Sequence, residues 1–595
     1  MWRLCLTLSF EVLLLLPIIS VVIKKFGLVS NGKAKLFNWM FAGVAIAAYI
    51  LFLPVHSAVT PVTFCGVWKD IFVSALNTIQ VFAGGCDFEI VNQSLEFCPE
   101  NLRVLYGAWF ATVFVIAPIF TFGFVLSFFK NASAYLKYMQ GYFKDVYVFS
   151  ELNKKSLLLA KDLMSDQTKN AMVVFTNAYE SEEDNNYELL DDARDLDAAC
   201  FKKDILSIDF RKHSKKKEIS FFFISEDKTG NLDQALGLIE DYKQREHTSI
   251  FIYSTETESE LLLTAVDKGF IKVRRINPVR SLIYRTLYED GSMLFQNARK
   301  TGEYCKKISA VVVGLGRHGK EMVKALSWYC QMDGYEIEIN AFEKDPLAEE
   351  KFIAKAPELM SPKFNGTKTD GEAQYKISIH SGFDVDSISF VKEIEKIKDA
   401  TYVLVCLGED VININTANNL KMIFERMGAC PIIQAIVYNS QEKNALTGIK
   451  NYWDQDYGID YIGDLESNFT EKVIIDRDLE QAALEIHKKS GRDEEEFWKY
   501  EYYYRSSSAT AIHLRARNAC GILDGEGGLS EEQNELLEAL EHRRWNAYMR
   551  AEGYVYSGSQ EKNTRNEIAK MHNNLVNFYE LNEDAKSIDR KIVKK

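Results

Sequence analysis

Proline is scarce, with 10 among 595 residues, and no Ser/Gly/Pro-rich tract occurs. A long disordered linker and a fibrous protein are therefore excluded. The ten cysteines form no CxxC pair and no His/Cys metal spacing, which excludes a disulfide-framework toxin and a zinc finger. No metal ligand is assigned. No nucleophile, base and orienting group stand at a recognisable spacing, so no catalytic residue is assigned and the chain reads as a non-enzyme. Basic charge is in deficit as well: 71 Lys+Arg face 84 Asp+Glu, a net charge of −13 at pH 7. That balance argues against a nucleic-acid polymer as partner.

What is present is unevenly spread. A chain of this length has about three or four domains. Residues 1–150 carry 10 Lys+Arg against 7 Asp+Glu, and the remainder carries 61 against 77. Three stretches, 6–23, 37–53 and 104–129, are almost free of charge, and each is long enough to cross about 30 Å of hydrocarbon. Residues 1–144 thus read as a three-span head in contact with membrane lipid. Lys24, Lys25, Lys33 and Lys35 make the first loop basic, which places the amino terminus outside and everything after the third span in the cytoplasm. Glu11 lies within the first span, where it marks a polar pathway or snorkels to the surface. Cys65, Cys86 and Cys98 fall in the outer loop, where two could pair, with no pairing deducible.

Between the second and third spans, residues 68–83 place Ile71, Phe72, Ala75, Ile79 and Phe82 at helical spacing, opposite Ser74, Asn77 and Thr78. Gly84 and Gly85 follow at once. Two readings are open: a re-entrant pore helix, with Asn77, Thr78, Gln80, Gly84 and Gly85 lining a path for inorganic ions, or a short helix on the outer surface.

From Asp145 onward, short apolar runs alternate with helical stretches, the pattern of parallel sheets with buried strands. Runs at 146–149, 172–175, 199–201, 220–224 and 250–253 read as five strands. A second series, at 309–313, 336–342, 376–379, 402–406 and 432–437, repeats the arrangement. The fold class is thus a membrane α-helical head followed by α/β, with two tandem doubly wound units at 145–300 and 301–480 and a small, mostly helical domain at 481–595.

Only the second unit carries a dinucleotide fingerprint. Gly314, Leu315, Gly316, Arg317, His318 and Gly319 form GxGxxG between the strand AVVV and a helix, the context in which backbone amides hold a phosphate. Glu343 ends the next strand and suits a ribose hydroxyl, with Asp345 close enough to compete. The corresponding first-unit turn, residues 150–155, has none of the three glycines and reads as structural.

The α/β region resembles the TrkA-N/RCK family of paired regulatory domains of potassium channels and transporters, across roughly residues 145–470. IKVRRINPVRSLIYRTLYE, residues 271–289, looks like that family's segment between the Rossmann lobe and its dimerisation surface, and GLGRHG looks like its nucleotide turn. The resemblance implies NAD(H) or an adenine nucleotide as cofactor, assembly of several copies into a ring with a tetramer favoured, and coupling of the ring to a pore. Further on, HRRW (542–545), EGY (552–554), MHNNLVNFYEL (571–581) and IDRKI (588–592) resemble the ryanodine-receptor repeat (RyR-type) domain. Tyr554 stands where that family usually has Trp, and Asn573 and Asn577 where it usually has Pro. YYYRSSSATAIHL, residues 502–514, looks like the helix that precedes such modules. Arg505, His513, His542, Trp545, Tyr554 and His572 are thus candidates for a pocket that takes a nucleotide-type small molecule. Together these features imply a ligand-gated channel of the bacterial inner membrane, or a pore-forming effector of antiphage defence, that senses a nucleotide-derived messenger. The alternatives are a membrane-tethered NAD-dependent oxidoreductase and a non-conducting regulatory subunit of a cation transporter.

Overall fold

The computed structural model describes residues 44–593, apart from positions 50, 54, 57–62, 97–99, 167, 180–185, 255–256, 304, 361–374, 476 and 522–528. It divides into two units, Met1–Leu136 and Lys137–Lys595.

Among the described residues no helix is long and apolar enough to cross a membrane. This finding contradicts the three-span head, and with it the multi-pass inner-membrane placement and its external amino terminus. Segment 6–23, with Glu11, and part of 37–53 lie outside the described residues, as does Cys98; Cys65 and Cys86 are free thiols. In the first unit, helix α1 (Phe64–Phe82) is followed by α2 (Glu100–Gln140), whose last turn enters the second unit. Tyr106, Phe110, Val113 and Ala117 recur at helical spacing on α2, and their side chains pack into a cluster with Leu51, Phe52, Val81 and Val91. One face of the apolar run at 104–117 is thus occupied by other helices of the same unit.

The residues read as pore-lining have local partners. Asn77 and Thr78 are buried, with Asn77 Nδ2 2.8 Å from His56 Nε2 and Thr78 Oγ1 donating to the Ser74 carbonyl at 2.8 Å. Gln80 is exposed, while its carbonyl accepts the Gly85 amide at 2.7 Å. Gly84, at φ +80°, turns the chain out of α1 in the left-handed region that favours glycine. The helical period of α1 is legible in the sequence, but its polar face is the inner one: Asp70 and Ser74 are buried with Asn77, while Phe64, Phe72 and Ile79 are exposed.

The second unit is α/β. Six parallel strands form its first sheet, β1 (Asp145–Phe149), β2 (Ala171–Phe175), β3 (Ala199–Cys200), β4 (Ile219–Phe223), β5 (Thr248–Tyr253) and β6 (Lys272–Ile276), in the order 3-2-1-4-5-6. The second sheet repeats that order with β8 (Lys306–Val313) at its centre, flanked by β9 (Tyr335–Glu343) and β10 (Tyr375–Ser381) on one side. On the other side lie β11 (Tyr402–Val405), β12 (Ile432–Ile436) and β13 (Ile459–Ile462). A two-residue strand, β7 (Arg299–Lys300), runs antiparallel to the start of β8. This is the Rossmann strand order, twice. All ten runs read as strands from the sequence fall in these sheets, and β6, β7 and β13 add to them.

Strands covered on both faces must be apolar throughout, and β2 (AMVVF) and β4 (ISFFF) are buried at every position. Phe149, Phe222 and Phe251 stack across β1, β4 and β5 with ring centroids 4.9 Å apart. Helix α3 (Lys154–Leu163) follows β1, and α4 (Pro278–Asp290) leads from the first sheet to the second. Proline opens α4 and the Asn277 side chain caps it, the preferred chemistry of a helix start. Helix α5 (Arg317–Tyr329) follows β8, and Trp328 on it is buried against Tyr284 of α4, centroids 5.6 Å apart. The carboxy-terminal helices α6 (Glu501–Ala519), α7 (Glu531–Ala551) and α8 (Glu583–Val593) come last, with a short parallel pair, β14 (Val555–Tyr556) and β15 (Met571–His572). They share a core with the second sheet: Ile512, Tyr548 and Met549 pack in one cluster with Leu326 and Trp328.

Candidate functional site

The three glycines of the β8–α5 turn meet three different surroundings. Gly314 adopts φ +94°, and a Cβ there would lie 2.6 Å from the Cys406 carbonyl oxygen, so the turn and the approach to β11 both require glycine. A Cβ at Gly319 would lie 1.9 Å from the Gly314 carbonyl oxygen, so α5 can sit against the turn only with glycine at this position. At Gly316 a Cβ would meet nothing within 4 Å. The middle glycine faces open space.

That space is a cavity of about 670 Å³, walled by residues of both sheets' units. The lobe built on the second sheet contributes Gly314, Gly316, Arg317, His318 and Glu343, together with Gly408 after β11 and Tyr438 after β12. From the lobe built on the first sheet come Lys155 at the start of α3, Glu226 after β4 and Tyr253 at the end of β5; Leu465 and Phe469 add to the wall. The carboxyl ends of both parallel sheets therefore open on one space, at the crevice where doubly wound sheets hold ligands.

Its chemistry is mixed. Lys155 pairs with Glu226, and its ammonium lies 5.0 Å from the Tyr253 ring centroid and 5.8 Å from that of Phe469. Glu343 accepts the Leu315 amide at 2.6 Å and the Lys344 amide at 2.9 Å, which fixes its carboxylate beside the glycine turn. Asp345 pairs with Lys351 and accepts the Leu347 amide, and it is not part of the wall. Of the two acids, Glu343 is the one that lines the cavity. His318 Nδ1 lies 3.4 Å from the Tyr438 hydroxyl, and burial, reinforced by Arg317, lowers the imidazole to about 4. It is neutral at pH 7.

The corresponding turn of the first sheet, after β1, is closed by its own side chains. Asn153 caps α3 by accepting the Ser156 amide at 2.8 Å and donates to the Ile224 carbonyl at 2.7 Å. These bonds occupy the helix start at which a phosphate would otherwise sit.

Of the six carboxy-terminal candidates, three come together. His542, Trp545 and His572 line a second cavity of about 120 Å³, with Trp545 between the two imidazoles at centroid distances of 5.5 and 4.9 Å. The other three lie elsewhere. Arg505 pairs with Glu260 at 2.9 Å and Glu552 at 3.6 Å. His513 is buried with Nε2 2.7 Å from the Gln331 carbonyl oxygen. Tyr554 donates its hydroxyl to Glu567 at 2.7 Å. Residue type suits each of them to the pocket, and each has a structural partner instead. His542 itself is held by Asp589 through Nδ1 at 3.1 Å and by the Val576 carbonyl through Nε2 at 3.0 Å, so it positions α8 against α7.

Lys155, Glu226, Tyr253, Tyr438 and Phe469 join the site without any motif in the sequence to mark them. All but Phe469 stand at or just beyond the carboxyl end of a strand, the position where ligand-facing residues of doubly wound sheets are found. That rule is the available signal.

The parallel sheets and this turn define a Rossmann-like α/β fold. No family model matches the sequence, and no curated protein does. Among solved structures, a dipicolinate synthase subunit from Bacillus halodurans is matched at 10% identity over 64% of this chain and 98% of that one, with a TM-score of 0.20. A similarity that weak carries no argument.

Proposed function

We propose that the chain is a nucleotide-responsive regulatory protein, in which NAD(H) or an adenine nucleotide binds at Gly314–Gly319 and draws the two Rossmann-like units together. The observation that carries this reading is the open middle glycine at a helix start, facing a cavity walled by both units. A space of about 670 Å³ suits a small-molecule ligand. In this reading the amides at the start of α5 and the Arg317 guanidinium take the phosphates, and the Glu343 carboxylate faces a ribose hydroxyl. Tyr253 and Phe469 offer rings on the opposite wall. A ligand that touches both walls binds the closed arrangement better than the open one and so shifts the population toward it. The resemblance to TrkA-N/RCK domains supports the same role and an assembly of several copies.

A second reading, an NAD-dependent oxidoreductase, is favoured by one observation, the neutral His318 facing the Tyr438 hydroxyl inside the same cavity. Turnover of NADH with a carbonyl substrate would support it over the regulatory reading.

Calorimetry with NAD+, NADH, ATP, ADP, AMP and cyclic nucleotides tests the binding reading. At least one should bind, and Gly316→Asp should weaken it more than about 100-fold, because a carboxylate would face the phosphate. The variant should fold, since the added Cβ enters open space. Equal affinity of the two proteins would remove the assignment.

A further inference from the structure

We propose that the cavity between α6, α7 and α8 is a phosphoryl-binding subsite, with Arg544 as its anchor and Arg492, Arg565 and His572 as additional donors. It is a different cavity from the one at Gly314–Gly319, and the proposal does not depend on that site.

Arg544 of α7 is wholly buried, with an exposure of 0%. Glu541, one turn earlier, accepts from its Nε and Nη2 at 2.7–3.1 Å, and Thr510 Oγ1 accepts from Nη2 at 2.9 Å. Among the described residues Nη1 has no hydrogen-bond partner, although Arg544 lines the cavity. A guanidinium presents its N–H donors in a fixed fork, so a buried Nη1 left without an acceptor points to an anion that belongs there.

The remaining groups around the cavity have the same preference. Its acids are already engaged: Glu541 by Arg544, and Asp589 by His542. Nearby, Arg565 pairs with Glu567. Arg492 has no ion-pair partner among the described residues and lies with its guanidinium carbon 4.8 Å from the Tyr503 ring centroid. The Asn574 amide donates to His572 Nδ1 at 3.1 Å, which puts the ring proton on Nε2 and makes that nitrogen a donor. Burial, reinforced by Arg565, lowers His572 to about 3, so the ring is neutral at pH 7.

Size selects the class of ligand. A cavity of about 120 Å³ is smaller than the roughly 300–1,000 Å³ of sites that enclose whole drug-sized molecules. It takes a tetrahedral oxyanion and not a complete nucleotide. Several donors around one space match a group with three or more acceptor oxygens. The half-buried Trp545 gives the rest of a phosphate ester a surface to lie on.

The test uses the full chain carrying Gly316→Asp, which disables the Rossmann turn and isolates this cavity. Titration with inorganic phosphate at constant ionic strength should raise its melting temperature. Arg492→Gln and Arg544→Lys, each added separately, should weaken phosphate binding about 10- to 150-fold, as expected for loss of a charge-assisted hydrogen bond. Arg492 is only partly buried, so its variant tests the proposal even where Arg544→Lys fails to fold. AMP binding more tightly than phosphate, with adenosine inert, identifies an ester as the ligand; equal binding identifies free phosphate. No response of the Gly316→Asp protein to phosphate, or an undiminished response in Arg492→Gln, overturns the proposal. Neither result bears on nucleotide binding by the unmodified Gly316 turn.

Discussion

Glu552→Gln is expected to destabilise the α/β unit by about 3–5 kcal/mol, because it removes one partner of a buried ionic network. The Glu552 side chain is 12% exposed and accepts from Arg280 Nη2 of α4 at 3.0 Å, and it lies 3.6 Å from Arg505 Nη1 of α6. Arg280 also bonds Glu321 at 2.6 Å, and Arg505 bonds Glu260 at 2.9 Å. Residues from the first sheet's helices, the connecting helix α4, α5 and the carboxy-terminal region thus meet in one set of charges. Burial alone would raise the Glu552 carboxyl, but Arg280 and Arg505 outweigh it and hold the group at about 2, below its ordinary 4.5. A depressed acid stabilises the folded state above its unfolded pKa. That contribution is present above pH 4.5 and is lost as pH falls toward the depressed value. Urea unfolding at pH 7 and at pH 3 should show a large difference between wild type and Glu552→Gln at pH 7 that narrows at pH 3. A difference independent of pH would mean that the carboxylate charge is not what stabilises this junction.

Gly314→Ala is expected to lower stability by about 2–5 kcal/mol, the sum of left-handed backbone strain and a contact that cannot relax. At φ +94° the new Cβ would stand 2.6 Å from the oxygen and 2.8 Å from the carbon of the Cys406 carbonyl, which is backbone at the end of β11. Gly316→Ala, in the same turn but facing open space, should unfold within about 0.5 kcal/mol of wild type. The pair separates the structural from the ligand-facing glycine. Equal urea midpoints for the two variants would show that the turn is not built as described.

Much of the α/β architecture is legible in the sequence because buried parallel strands are nearly continuous apolar runs, as in AVVV before Gly314. β6 is hidden by Arg274 and Arg275, whose partners include Glu480 at 3.3 Å, Glu501 at 2.9 Å and Glu260 at 3.1 Å, with the rings of Trp498 and Tyr504 over Arg274. More than two hundred residues separate Arg275 from Glu501, so no local pattern announces the pairing. The GxGxxG turn and Glu343 are legible from spacing, since Gly314 and Gly319 each meet a backbone requirement that lies within the turn or just across from it. Lys155 and Tyr253 are not, because facing the same cavity is a property of two sheets and not of either sequence segment. Arg505, His513 and Tyr554 show the converse limit. Their residue types suit a polar pocket, yet Glu260, Gln331 and Glu567 already engage them. For the first unit, length and hydropathy at 104–129 suggest a span, whereas side-chain packing decides which face of such a helix is covered.

A nucleotide lying between the two Rossmann-like units, in contact with both, must protect both. Hydrogen–deuterium exchange of the full chain, with and without a saturating nucleotide identified by calorimetry, measures this directly. The account predicts slowed exchange at Gly314–Gly319 together with slowed exchange at Tyr253 and at Leu465–Phe469 on the opposite wall. Slowed exchange at Gly314–Gly319 alone, with the opposite wall unchanged, would contradict it.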